Sequence, residues 1–404
     1  MNDDRDEDTN DRGDDRENDI GNDRGDAVGN DIGELKNFVV AHTRSQGLPP
    51  EHYDPLLDRI HHDENGTPGS WVYEWSADAS RLAAEGRLLE ASVHYNMARF
   101  PFVDGTARAT ALERCTAAFE RWADDFPAVR RLDVELPEGR VRCWTTGLDA
   151  RDPKPLLVMT GGIVSVKEQW APVLLQLGQL GFAGVVTEMP GVGENTLPYD
   201  AQAHRMFSAV LDAVADRADT SRTFALALSF SGHLALRAAL SDDRIKGVVG
   251  AGAPLHDFFT DTEWQRSVPR ITTDTLAHLA RTTPEEVYGL VKDWALAPEE
   301  LSALRIPVAH VTSLRDEIIP PGDARLLRER VRSARFLNHD DVHGSPTFFA
   351  QTRLWTLLSV LRMRGGYEEQ RIALTREFAR LRYGAGRPDA PRDARSGTRS
   401  GVRS

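Results

Sequence analysis

The chemistry legible in this chain centres on a serine at a sharp corner. The run Thr223-Phe-Ala-Leu-Ala-Leu-Ser229-Phe-Ser-Gly-His233 is an apolar strand that turns abruptly into a helix, with Ser229 at the turn. A nucleophile held at such a corner projects its hydroxyl outward, and the residues two before and two after it must be small because they approach neighbouring backbone. Here they are Ala227 and Ser231, a relaxed form of the usual glycine-flanked pattern. Taking Ser231 as the nucleophile would put His233 where a small residue belongs, so Ser229 is the candidate. A serine hydroxyl attacks well near neutrality only when an imidazole takes its proton and a carboxylate orients that imidazole.

Chain order supplies both partners. Asp316 lies in the loop Ser313-Leu-Arg-Asp316-Glu-Ile-Ile-Pro after a strand-like run, and His343 lies in Asn338-His-Asp-Asp-Val-His343-Gly-Ser-Pro after the next one. Serine, acid and histidine in that order is one of the recurring triad arrangements. Glu317 beside Asp316, and His339 four residues before His343, are local competitors. Asp316 is favoured as the first acid after its strand, and His343 because Ser345 and Pro346 read as the start of the next helix. A tetrahedral intermediate also needs N–H donors for its oxyanion, one from the residue after the nucleophile and one from the loop after an earlier strand. Phe230 is the first, and the second is expected from the run Thr160-Gly161-Gly162-Ile163, where two glycines let the main chain approach a ligand closely, an ordinary strand-ending turn being the alternative. The other glycine-bearing strand end, Glu188-Met-Pro-Gly191-Val-Gly193, lacks the dinucleotide fingerprint and reads as a turn shaping the pocket.

The elements that would position these residues alternate. Residues 131–136 and 140–146 alternate around Pro137-Glu-Gly139, the pattern of an antiparallel hairpin. Beyond it, β-rich runs at 156–160, 184–188, 223–228, 245–250, 307–311 and 334–337 take turns with amphipathic stretches at 164–180, 201–218, 232–240, 323–331 and 346–361. A hairpin followed by about six crossover strands predicts an α/β fold, a mostly parallel α/β-hydrolase sheet covered on both faces. Residues 35–127 are helical in pattern and are expected as an N-terminal cap domain; residues 128–383 are expected as the hydrolase domain, with an insertion at about 254–305. Cap and insertion would cover the carboxyl ends of the strands, where open α/β sheets bind ligands. His256, Asp257 and Trp264 at the start of the insertion are candidate pocket-lining residues, a solvated loop being the alternative.

The formal charge of −13 belongs mostly to one end. Residues 1–35 hold 14 acids against 4 arginines and contain a 12-residue repeat, Asn10–Gly21 and Asn22–Gly33. That composition predicts an acidic disordered tail over residues 1–34, and the Arg-, Gly- and Ser-rich residues 384–404 predict a disordered basic tail. The near-neutral body offers no basic surface for nucleic acid. Without a signal peptide or a long apolar run the chain is expected in the cytoplasm and off the membrane, with Cys115 and Cys143 as free thiols. No metal or cofactor motif stands out.

The run Gly161-Gly-Ile-Val-Ser165-Val-Lys167-Glu168, the turn Pro190-Gly-Val-Gly193, the elbow at Ser229 and the helical N-terminal part resemble the FrsA-like branch of the α/β-hydrolases over roughly residues 70–365. That branch includes dihydroxypseudooxynicotine hydrolase and fungal polyketide-shortening hydrolases. The resemblance implies a helical cap, no cofactor, cap-mediated homodimers and, for some members, cleavage of a carbon–carbon bond beside a ketone. Carried onto this chain by motif, Ser229, Asp316 and His343 become the triad and Gly162, Ile163 and Phe230 surround the oxyanion. Val164 departs from the Asp common in the branch's G-G-x-D-S-x-K-E run, and Ala227 and Ser231 replace the elbow glycines. The namesake proteins of the branch lack the elbow serine, so Ser229 points toward its hydrolytic members. The expected activity is a serine hydrolase acting on a small aromatic or polyketide-like molecule, at a ketone-flanked C–C bond, an ester or a thioester. A hydrolase-shaped binding protein without turnover, and a cyclase or acyltransferase using the same serine, are the alternatives.

Overall fold

The computed structural model describes residues 30–64 and 66–384. The expectations for the two tails therefore lie almost wholly outside the described residues. The first helix starts inside the second acidic repeat: the Asp31 carboxylate accepts the Glu34 N–H at 2.9 Å, the bond an N-cap makes with its N3 residue.

Five helices come first: α1 (Ile32–Ser45), α2 (Pro50–Arg59), α3 (Trp71–Ala84), α4 (Leu88–Arg99) and α5 (Thr106–Ala123). Much of this layer closes on its own core, where Leu35, Val39, Tyr53, Trp71, Trp75 and Phe100 pack with Ile271 of the later insertion. Helix α4 buries Ser92, His94, Asn96 and Arg99 as well as its apolar residues, because α3 and α5 flank it. Each of those polar side chains hydrogen-bonds inside the layer, as buried polar groups must.

The sheet begins with the expected hairpin, β1 (Arg130–Leu136) and β2 (Gly139–Thr146). Then follow β3 (Pro155–Thr160), the short helices α6 (Lys167–Trp170) and α7 (Leu174–Leu177), and β4 (Ala183–Thr187). Next come α8 (Arg205–Val214), β5 (Asp219–Leu228), α9 (Phe230–Ser241) and β6 (Ile245–Ala251). The eight strands run β1-β2-β4-β3-β5-β6-β7-β8, with β7 (Val308–Ser313) and β8 (Arg335–His339) completing the far edge. Pairing is antiparallel through β1, β2 and β4 and parallel from there on. Strands β3 and β4 are buried at every position, the mark of parallel strands covered on both faces. Along β3, Leu156 and Val158 enter one core layer and Leu157 and Met159 the other, the two-residue period of a pleated strand. The α/β-hydrolase architecture expected from the sequence is the one found.

One expectation changes, and the insertion gains its elements. The stretch 164–180 is not one amphipathic helix: 3₁₀ turns at Ala171–Val173 and Gly178–Leu180 break it, the first around Pro172, which carries no N–H for a helical ladder. The insertion, to which the sequence reading assigns no elements, is helical. It holds α10 (Asp257–Thr260), α11 (Thr262–Gln265), α12 (Arg270–Ala280), α13 (Val287–Val291) and α14 (Pro298–Ala303). After α15 (Pro321–Arg330) and α16 (Phe349–Arg364), a final helix α17 (Glu368–Tyr383) covers part of α16. Among the described residues no helix is long and apolar enough to cross a membrane. Cys115 and Cys143 are buried free thiols, and burial pushes both up to about 12.

Candidate active site

Strand β5 ends at Leu228 and α9 begins at Phe230, so Ser229 alone makes the turn. Its backbone sits at φ 56° and ψ −132°, a sparsely populated region for a residue with a side chain. Neighbours hold it there: the Ser229 N–H donates to Ala251 O at the end of β6, at 2.7 Å. Ala227 is fully buried, and the Ser231 hydroxyl donates to Thr160 O and Leu228 O at 2.9 Å each, which ties the elbow to β3. Ser231 is thus committed to the scaffold, and Ser229 carries the projecting hydroxyl.

That hydroxyl lies 2.9 Å from His343 Nε2. On the other side of the ring, Nδ1 is 3.0 and 2.9 Å from the two Asp316 oxygens. Asp316 Oδ1 also accepts the N–H groups of Ile318 and Ile319 at 3.0 and 2.8 Å, so the carboxylate is fixed by its own loop. Burial works to lower the His343 pKa. The charge and hydrogen bond of Asp316, with the charge of Glu317, more than offset it and leave the ring above its ordinary value. Glu317, the competing acid, instead accepts the His343 backbone N–H at 2.9 Å. Asp341 fastens the rest of the loop by accepting N–H bonds from Val342 and Thr347. The competing histidine, His339, is buried, stacked on Phe348 with ring centroids 4.6 Å apart, and faces Thr352.

The groups expected around an oxyanion border the same serine. Phe230 is the first residue of α9, so its N–H has no intrahelical acceptor. Gly162 packs so closely that a Cβ there would stand 3.0 Å from Ser229 Cβ, which brings its main chain against the elbow. Ile163 follows and lines a narrow cleft of about 50 Å³ with Arg99, Phe102, Gly193 and His278. Together these features can transfer a proton from the serine, stabilise the resulting imidazolium, and hold negative charge on a carbonyl oxygen.

Sequence reasoning missed three of the parts that hold this arrangement. Gly252, just past β6 at φ +59°, leaves room for the imidazole: a Cβ there would meet His343 Cε1 at 2.8 Å. Arg99, at the end of α4, is buried and makes no ion pair with a carboxylate among the described residues. Its guanidinium donates to Asn96 Oδ1 at 2.6 Å, Val164 O at 2.8 Å and Pro101 O at 2.9 Å, so the helical layer grips the loop next to Ile163. Burial lowers its pKa to about 10, which leaves it charged. The third is a buried ionic knot. Lys167 Nζ meets Glu168 at 2.9 Å, Glu188 at 3.2 Å and Glu194 at 2.7 Å, while its N–H donates to Glu188. The lysine and glutamate of the motif thereby clamp the Gly161–Val166 loop to the Pro190–Gly193 turn. Burial pushes Glu188 upward despite the lysine.

The three candidate pocket residues of the insertion are each held by hydrogen bonds. The N–H groups of His256 and Asp257 donate to Asp323 Oδ1, and the His256 ring pairs with Leu296 O. Trp264 Nε1 donates to Ile318 O, behind Asp316. Among the described residues no cluster of three or more His, Cys, Asp or Glu gathers as metal ligands.

Comparison with known proteins places this geometry in context. A family model described as esterase FrsA-like matches residues 52–330. Esterase FrsA of Vibrio vulnificus is 22% identical over 282 residues, which is 64% of this chain and 68% of that protein. Esterase FrsA of Photobacterium profundum is 24% identical over 326 residues, 72% and 77% of the two chains. Among solved structures, AbyA5 is 54% identical, with a TM-score of 0.85 over 87% of this chain and 100% of that one. The 2,6-dihydroxy-pseudo-oxynicotine hydrolase is 17% identical with a TM-score of 0.62 over 85% and 96%, a likeness of fold.

Proposed function

The chain belongs to the FrsA-like esterase family and is an α/β-hydrolase enzyme; from that premise we propose that Ser229, His343 and Asp316 act as its catalytic triad on a small-molecule carbonyl compound. The observation that carries the reading is the unbroken line of hydrogen-bond distances from Ser229 Oγ through His343 to Asp316 at a positive-φ elbow. In the proposed cycle His343 Nε2 takes the Ser229 proton as the oxygen attacks the carbonyl carbon. The oxyanion rests among the N–H groups of Phe230 and the Gly162–Ile163 loop. Collapse breaks the bond to the leaving group, which receives the proton from His343, and water then repeats the sequence to release an acid.

An ester or thioester leaves as alcohol or thiol. Where the cleaved bond is a C–C bond beside a second ketone, the leaving carbon departs as an enolate and is protonated, so one water gives an acid and a methyl ketone. The C–C reading, on an aromatic or polyketide-like substrate, rests on the resemblance to that branch. A cytoplasmic homodimer joined through the helical layer, which would act as a cap over the site, belongs to the same proposal. No cofactor enters the scheme. His256, Asp257 and Trp264 line the substrate pocket in this proposal, their loop fixed by bonds to Asp323, Leu296 and Ile318.

The direct test is a fluorophosphonate probe on the folded chain. The expected adduct is on Ser229, with Ser229→Ala unlabelled and about 10⁴-fold slower in turnover. A folded but unlabelled wild type, or a loss below about tenfold in Ser229→Ala, overturns the triad. Product analysis in ¹⁸O water separates hydrolysis, which incorporates the label, from cyclisation or transfer, which does not.

A further inference from the structure

The proposed triad leaves two polar side chains beside it unused. His42, in the last turn of α1, packs its ring on Phe100 with centroids 5.2 Å apart. Gln169, on α6, is only 8% exposed. Its Nε2 donates to Ser45 Oγ at 3.0 Å, and Ser45 Oγ in turn donates to His42 O at 2.8 Å. Because the serine proton is committed to that carbonyl, the amide end facing Ser45 must be the donor. Oε1 is therefore the other end, and it has no hydrogen-bond partner among the described residues. The Gln169 side chain also interacts with the His42 ring and favours its protonated form, which sets the amide beside the imidazole. A buried acceptor without a donor is costly, and in native proteins such atoms meet water or a ligand.

The pair stands on elements that flank the reaction centre. Helix α1 packs against the Pro346–Phe348 turn just beyond His343, and His42 lies within electrostatic reach of both His343 and Arg99. Arg99 also lines the cleft at Ile163. We infer that His42 and Gln169 form a recognition pair for a second, uncharged oxygen of the substrate, a hydroxyl or enol separate from the carbonyl under attack. The inference rests on the proposed reading of the site. Burial, with the charges of Arg99 and His343, lowers the His42 pKa to about 4, so near neutrality the ring offers one donor and one acceptor and no charge. A hydroxyl matches the pair: its proton goes to Gln169 Oε1 and its lone pair receives the His42 N–H. A carboxylate or a plain alkyl chain would leave Gln169 Oε1 unsatisfied.

The test measures protection of Ser229 from a fluorophosphonate probe by two ketones that differ in one oxygen, 2-pentanone and 4-hydroxy-2-pentanone, on the full chain. The wild type is expected to need about tenfold less of the hydroxyketone for half-protection, the worth of one good uncharged hydrogen bond. Gln169→Leu and His42→Phe are each expected to shrink that ratio to about twofold or less, and Gln169→Asn, which keeps the amide but withdraws it, to give an intermediate value. The readout is a ratio within one protein, so a general loss of labelling or of folded protein does not mimic it. A wild-type ratio near one, or a wild-type ratio preserved in both apolar variants, overturns the recognition pair and leaves the triad standing. A folded wild type that the probe does not label at all overturns the triad, and this inference with it.

Discussion

Replacing Gly252 by Ala tests the spatial claim beneath the proposed mechanism without touching any reacting group. The added Cβ would lie 2.8 Å from His343 Cε1, 3.1 Å from Nδ1 and 3.5 Å from Asp316 Oδ2. Carbon atoms settle at about 3.5–4.0 Å, so the ring must retreat by roughly 0.7 Å or more. The Ser229–His343 distance of 2.9 Å would then stretch toward about 3.6 Å, where a hydrogen bond no longer exists. A misplacement of that order costs about 10²-fold in turnover. The substitution also forces alanine into φ +59°, a left-handed conformation that costs about 1–2 kcal/mol.

Gly86→Ala separates the two effects, because Gly86 has φ +78° and nothing within 4 Å of its would-be Cβ. Urea unfolding should give Gly86→Ala a loss of about 1–2 kcal/mol and Gly252→Ala at least as much. Turnover of a p-nitrophenyl ester at full folding should fall only in Gly252→Ala. If Gly252→Ala stays within about threefold of wild type in kcat, the imidazole does not occupy the working position described here, and the reasoning fails.

Arg99→Met should cost about 3 kcal/mol of stability by leaving Val164 O, Pro101 O and Asn96 Oδ1 without their donor, and should lower kcat more than it raises KM; Arg99→Lys should recover only part, since one ammonium cannot span three acceptors. Stopped assays of both variants decide whether the loop grip is kinetic as well as structural. In Glu317→Gln the acid limb of kcat/KM should move to lower pH, because one of the charges that raises the His343 pKa is gone; an upward shift or none refutes the assignment of the base. The linkage has the matching sign. A ring whose folded pKa is raised contributes stability that is complete below its ordinary pKa near 6.5 and is lost as pH rises through the folded value, so Glu317→Gln should flatten that decline. Ser231→Ala should cost about 1 kcal/mol through its two buried hydrogen bonds and keep fluorophosphonate labelling, whereas a lost adduct would move the nucleophile from Ser229.

The parts of the site that were legible in the sequence are those governed by local rules. A strand meeting a helix at one residue announces an elbow, and two later strands each ending in a short polar loop set out the acid and the histidine. Strand alternation likewise marked the hairpin and the parallel strands. Other parts depend on contacts between distant segments, which no local pattern records. Gly252 matters because the His343 loop passes over the end of β6. Its one visible sign was a third small residue in Gly250-Ala-Gly252 at a strand terminus. Arg99 and His42 look like ordinary members of polar helix turns until α1, α4 and α6 meet. The helices of the insertion are hard to read for a related reason: Asp261 accepts the Glu263 and Trp264 N–H groups and the Thr260 and Thr275 hydroxyls donate to backbone carbonyls, so a polar composition encodes short helices.

Arg99 joins two segments 65 residues apart through its bond to Val164 O. A deletion that trims the amino-terminal third would therefore do more than remove the helical layer, since it would also withdraw a strut from the peptide segment flanking Ser229. Exchanging the front third between relatives carries the same constraint: position 99 and the backbone it grips must travel as a unit, and a chimera that splits them should inherit the substrate preference of neither parent.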